Sequence, residues 1–163
     1  METSRVESAY RRAGYVMDLW MPDYIVGLDL GQSTDPTALC VIRDTLKDGL
    51  RVDKPILQLG QLERFELGTP YPQIVDHVVS LMNRIKPMAR NTCLVLDATG
   101  VGRPVVDLFA ARNVNFYAIT YTAGQQVTSS GRYYNVPKRD LVSAAKVALQ
   151  AGRLQVASGL PLA

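Results

Sequence analysis

Two short apolar runs, YIVGLDLG at 24–31 and CLVLDATG at 93–100, each carry an aspartate near their end, followed within three residues by a glycine. Runs of this length and β-branched content, closed by glycine-containing turns, read as buried strands. A carboxylate on a buried strand is costly unless it is paired or bound to a cation, so Asp29 and Asp97 each ask for an explanation. If the two strands are parallel neighbours, both carboxylates emerge side by side at one end of a sheet. Such a pair repels itself, and Mg²⁺ or Mn²⁺ relieves the repulsion, because hard cations prefer oxygen ligands. Two such ions held close together activate a water and stabilise the leaving oxygen of a phosphodiester. Taken singly, either aspartate could instead cap a turn. Asp35, in STDPTA, reads on spacing alone as an Asp-Pro turn.

The remaining pattern supplies the frame for those strands. Residues 1–22 read as a polar extension or linker set off by Pro22, in which Trp20, Arg11 and Arg12 could belong to a linker helix. Residues 23–163 read as one domain. Strands are expected over about 24–30, 37–43 and 56–66, close enough to pair as hairpins, with a turn at Asp48-Gly49. From Pro72, Ile74, Val75, Val78, Leu81, Met82 and Ile85 recur at helical spacing until Pro87 stops them. A strand at 93–100, a helix over 103–112 and a strand over 115–121 follow. Residues 122–135 lack periodicity and read as a loop. Pro137 opens a last helix whose apolar stripe is Leu141, Ala144, Ala145, Ala148 and Leu149, ended by Gly152. Hairpins followed by alternating helices and parallel strands imply an α/β fold, a mixed sheet with helices on both faces. The ribonuclease H-like fold has this order.

Bulk properties narrow the field. A chain of 163 residues suits a single core. No apolar run approaches the roughly 20 residues needed to span a bilayer, and the N-terminus has no secretory signal, so no membrane partner is expected and the cytoplasm is the default. Cys40 and Cys93 lie in apolar segments and should be reduced and buried. With His77 as the only histidine and no CxxC, a structural zinc site is not expected. A net charge of +3 permits nucleic-acid binding without demanding it.

Four segments in order, GLDLGQSTDPTAL, VLDATGVGRPVVDL, ITYTAGQQ and YNVPKRDLVSA, resemble the C-terminal nuclease domain of phage and prophage large terminase subunits. The resemblance spans residues 23–163. It implies a ribonuclease H-like metal-dependent endonuclease that cuts concatemeric double-stranded viral DNA during packaging, with two Mg²⁺ or Mn²⁺ ions, in the cytoplasm of a bacterial host. By motif position, Asp29 and Asp97 become the metal-holding catalytic acids and Asp35 a further catalytic acid. It also implies a terminase ATPase domain, a small terminase subunit and a portal as partners. In that family a third metal-binding aspartate sits in a His-Asp-Asp cluster beyond a segment like GRLQVASGLPLA. This chain ends at Ala163, so the domain is expected to lack its C-terminal end. Asp140 is the in-chain stand-in, although an acid in the first turn of a helix is also explained by the helix dipole.

Arg132, Lys138 and Arg139 bracket Tyr133 and Tyr134 beside the expected loop. Cations neutralise phosphates and tyrosines stack on bases, so these residues are candidates for DNA contact, as well as for an ordinary solvated surface. His77 reads as structural. GLDLGQST also resembles the first phosphate loop of actin-like and sugar-kinase ATP-binding domains, which need a second glycine-rich motif and a second lobe. A Holliday-junction resolvase is a nearer alternative, and a prophage fragment that folds or binds DNA without cutting is a third. DATGVGRP lacks the Lys and Ser/Thr of a G-x-x-x-x-G-K-[ST] loop. The chain by itself should show no steady ATP turnover. Turnover that follows the protein through purification would favour the ATP-binding alternative.

Overall fold

Strand alternation decides how the sheet is sided. In β1 (Tyr24–Asp29) and β2 (Ala38–Asp44), antiparallel pairing sets Val26 against Val41 and Leu28 against Leu39. These four are buried on one face. The period of two sends Gly27 and its partner Cys40 to the other face. β3 (Leu57–Arg64) continues antiparallel to β2, with a register shift between Val41 and Ile42. The computed structural model describes residues 23–31, 34–45, 55–89, 91–100 and 103–161. The extension 1–22, with Arg11, Arg12 and Trp20, and the Asp48-Gly49 turn lie outside the described residues.

Helix α1 (Tyr71–Ile85) has Pro72 in its first turn and buries Ile74, Val75, Val78, Leu81, Met82 and Ile85, the stripe the sequence spacing predicts. A 3₁₀ turn over Lys86–Met88, containing Pro87, ends it. β4 (Thr92–Asp97) follows, then α2 (Arg103–Ala111), which buries Val105, Val106 and Phe109. β5 (Phe116–Thr122) lies parallel to β4. The core cluster joins Val26, Leu28, Leu94 and Leu96 of the central strands to α1 and α2. Both of these helices therefore cover the same face.

The sheet has eight strands in the order β6-β7-β5-β4-β1-β2-β3-β8. β1 is flanked by β2, antiparallel, and by β4, parallel. That is the arrangement the paired acids require.

The structure departs from the sequence-based expectations at several elements. The segment 122–135 is not all loop: it holds β6 (Thr128–Ser130) and the first residues of β7 (Tyr133–Pro137), which pair antiparallel across Gly131 at φ 60°. Every residue of β6 is exposed at the sheet edge, so it carries no apolar period to read. β8 (Leu154–Val156) has no signal in the sequence pattern. It is three residues long and is defined only by its parallel pairing with the distant β3. Finally, α3 (Lys138–Gln150) does not bury its apolar stripe; Ala148 is its one buried residue, and Leu149 is 60% exposed. α3 carries the chain from β7 near one edge to β8 at the other, and touches both of those strands.

Cys40 and Cys93 are free thiols on strands separated by β1. Cys93 is buried, whereas Cys40, expected to be buried, is only partly buried on the open face. Burial pushes both thiols up, Cys93 to about 12. A Cβ added to Gly27 would lie 2.7 Å from the Cys40 sulfur, so the glycine makes room for it.

The one-sided core predicts an asymmetric response to mutation. Phe109→Ala, at a fully buried site, should cost about 3–5 kcal/mol in urea denaturation. Leu149→Ser on α3 should change stability by less than about 0.5 kcal/mol. A large loss for Leu149→Ser would show that α3 is seated on the sheet in solution.

Candidate active site

Parallel pairing of β1 with β4 sets Asp29 directly opposite Asp97. Both occupy the strand positions that point to the face away from α1 and α2, the face of Gly27, Cys40 and Val95. There they border a groove of about 330 Å³ whose wall includes Ile119, Tyr121 and Leu141 of α3. Two carboxylates thus sit side by side on an open surface, without a cation from any described residue paired to either.

The electrostatic consequence falls on Asp29. Partial burial lifts its pKa above the usual 3.8, and the neighbouring charges of Asp97 and then Asp35 lift it further. Asp35 is therefore near enough to be felt. Its loop is held by a tight fold: a Cβ on Gly31 would lie 2.0 Å from the Asp35 carbonyl oxygen and 2.6 Å from the Thr37 nitrogen. Only a glycine lets the loop close this way. The Gly31 N–H donates to Thr37 Oγ1 at 3.0 Å, and the Tyr71 hydroxyl, at the start of α1, donates to the Gly31 carbonyl at 2.9 Å.

Asp97 is held from the other side. The Thr99 N–H donates to its Oδ1 at 2.8 Å, and the Tyr121 hydroxyl hydrogen-bonds its carboxylate. The same turn is tied to β5, since the Tyr121 N–H donates to Thr99 Oγ1 at 2.9 Å and the Ala98 N–H to Ile119 O at 2.8 Å. Burial, the charges of Asp97 and Asp29, and this hydrogen bond all push the Tyr121 phenol up, so it stays a donor at neutral pH. Tyr121, Tyr71 and Gly31 escaped the sequence reading as site residues. The signal for Tyr121 was strand alternation: two residues after Ile119, the pairing partner of Asp97, it must share its face.

The other candidates disperse. Among the described residues no third His, Cys, Asp or Glu joins Asp29 and Asp97 in a metal-holding group, so neither Asp35 nor Asp140 completes one. Asp140 lies in the first turn of α3, its oxygen 3.4 Å from Arg139 Nε. Lys138 and Arg139 begin α3 beyond the end of β7 and are exposed. Arg132 sits before β7, with its guanidinium over the Phe116 ring and donating to Val114 O at 3.1 Å. Tyr133 packs edge-on against Phe116. His77 meets Glu63 at 2.7 Å and Phe65 edge-on, a contact outside the acid pair.

Sheet order and parallel β1–β4 pairing are those of a ribonuclease H-like α/β fold. The large terminase nuclease from the thermophilic phage G20c, solved with bound zinc, shares this fold. It superposes with a TM-score of 0.55 at 21% identity, covering 86% of this chain and 68% of that one. A fainter likeness, TM-score 0.33 at 15% identity over 60% of this chain and 63% of the other, is to Thermus thermophilus RuvC. The sequence matches no family model. Nor does it match any curated protein.

Because the folded-state pKa of Asp29 is raised, its ionisation costs stability. The favourable contribution is complete below pH 3.8 and is lost as pH rises through the folded value. In EDTA at pH 7, Asp29→Asn should therefore be slightly more stable than the wild type, by less than about 1 kcal/mol because the carboxyl is solvated. The difference should vanish near pH 3. A less stable variant at pH 7, measured by thermal melting, would show that Asp29 is favourably paired.

Proposed function

We propose that this chain is a metal-dependent endonuclease domain acting on double-stranded DNA, of the kind that serves viral DNA packaging. The observation that carries the reading is the in-register pair of Asp29 and Asp97 on the open face of the sheet. The donor set is all oxygen, and partial burial, with the charges of Asp97 and Asp35 beside it, pushes Asp29 up. Such a set suits Mg²⁺ or Mn²⁺, which are commonly bound by one or two carboxylates with water and phosphate oxygens completing the shell. When bound, such ions supply Lewis-acid activation of a water and of the scissile phosphate.

The chain's own residues have separate tasks in this reading. Asp29 and Asp97 hold the cations, and Asp35, fixed by the Gly31 turn, adds negative charge beside them. The Tyr121 hydroxyl and the Thr99 N–H aim the Asp97 carboxylate, as outer-shell partners of metal ligands do. Lys138 and Arg139 offer cations to a DNA backbone near the end of β7. Backbone contacts carry no base information, so cutting should show little sequence preference. By the same reading, residues 23–163 form the nuclease unit, cytoplasmic in a bacterial host, with a terminase ATPase domain, a small subunit and a portal as partners. Among the described residues no helix is long and apolar enough to cross a membrane.

Two protein carboxylates hold cations weakly, so millimolar Mn²⁺ should be needed for both binding and cleavage of plasmid DNA. Asp29→Asn and Asp97→Asn should each reduce cutting to background. Tyr121→Phe should weaken Mn²⁺ binding about tenfold, the lower end of outer-shell effects. Equal cutting by wild type and Asp97→Asn would remove this pair from the chemistry. Mn²⁺ and DNA binding without cleavage would favour a domain that only binds DNA.

A further inference from the structure

The face covered by α2 carries a second concavity, of about 470 Å³, on the opposite side of the sheet from the acid pair. Its walls include Arg103 of α2, Thr120 of β5, and Thr128, Ser130 and Asn135 of the β6–β7 hairpin. None of its lining residues is acidic. Four of these five are hydroxyl or amide groups able to donate hydrogen bonds.

Arg103 gives the concavity its charge. Its guanidinium lies over the Tyr133 ring, 5.4 Å from the centroid. Tyr133 in turn stands edge-on to Phe116 at 6.5 Å and 83°, and Phe116 is only 2% exposed. The arginine is thus propped on an aromatic shelf braced by the core. Stacking occupies the flat face of a guanidinium and leaves the N–H donors around its edge, the geometry that suits bidentate phosphate binding. Among the described residues no carboxylate pairs with Arg103, although Asp107 lies one helical turn along α2. Arg132, by contrast, spends its guanidinium on a backbone carbonyl. The hairpin wall is ordered too, since Asn135 Nδ2 donates to Thr128 Oγ1 at 3.1 Å and so leaves the Thr128 proton for a ligand.

We infer that this concavity binds a phosphodiester of the DNA backbone, with Arg103 as its cation and the hairpin hydroxyls as further donors. Phosphate is the chemistry matched by a propped guanidinium among neutral donors. The DNA source rests on the proposed nuclease reading and on position. Ala98, which borders the concavity, directly follows Asp97, about 3.8 Å away between Cα atoms. The two sites therefore flank the same end of β4 on opposite faces. A strand crossing that end has one phosphate at the acids and another at Arg103.

The test is binding of a fluorescein-labelled duplex by anisotropy in EDTA, across a KCl series, so that neither metal nor cleavage enters. Removing one phosphate contact should reduce the slope of log K against log salt by about 0.9. Arg103→Ala and Arg103→Gln should both show this loss, Gln keeping the cover over Tyr133. Arg103→Lys should retain the slope, and Thr128→Ala should weaken binding at an unchanged slope. Wild-type slopes in folded Arg103→Ala and Arg103→Gln would overturn the inference while leaving the nuclease reading intact. Failure of the wild type to bind the duplex in EDTA would overturn the inference, whereas the nuclease reading stands or falls on Mn²⁺-dependent cleavage. Inorganic phosphate that binds through Arg103 with no change in the duplex slope would assign the concavity to free phosphate and overturn the backbone assignment.

Discussion

The parallel pairing of β1 with β4 is the constraint on which the structure depends. Its register sets Val26 beside Leu94 and Leu28 beside Leu96, all fully or nearly fully buried under α1 and α2. That same register, through the period of two, sets Asp29 beside Asp97 on the opposite face. A slip of one residue would expose the apolar set and bury the acids. The hydrophobic effect that makes the core therefore also holds two like charges together. Their repulsion is offset by burial elsewhere in the strands.

The sheet is covered unequally. One face carries α1, α2 and the whole hydrophobic cluster; the other carries α3, which buries little more than Ala148. Small residues at Gly27 and Cys40 leave that second face shallow, and the acids stand at its end. In the proposed reading, an open, solvated surface is what lets a DNA duplex reach the two carboxylates. Stability comes from one face and access from the other.

Turn chemistry sharpens the site beyond what strands alone achieve. Gly31 lets the following loop fold onto its own backbone, and the Tyr71 hydroxyl fastens that fold to the start of α1. The turn after Asp97 is laced to β5 through Thr99 and Tyr121, which returns a phenol to the Asp97 carboxylate. The Asp97 carboxylate is thereby held by its own turn and by β5, and the loop after Asp29 is fastened to α1. Rigid support of this kind matters most where charge must be placed before a ligand arrives.

Much of this was legible in the chain. The apolar runs ending in Asp29 and Asp97, the spacing of Ile74 through Ile85, and the glycine after each acid determined the central strands, the first helix and the acid pair, because these signals are local and repeat with the period of their element. Edge strands β6 and β8 were not legible, since three-residue strands with exposed side chains carry no period and exist only through pairing with distant partners. The stripe of α3 looked like a buried face, yet burial depends on what lies opposite, and the sheet presents little there. Tyr121 and Arg103 acquired their places in the same way, one by lying on the strand next to Asp97 and the other by meeting Tyr133 from across the fold. Periodicity and turn residues are written along the chain. Neighbourhood across the sheet is set only when the strands pack.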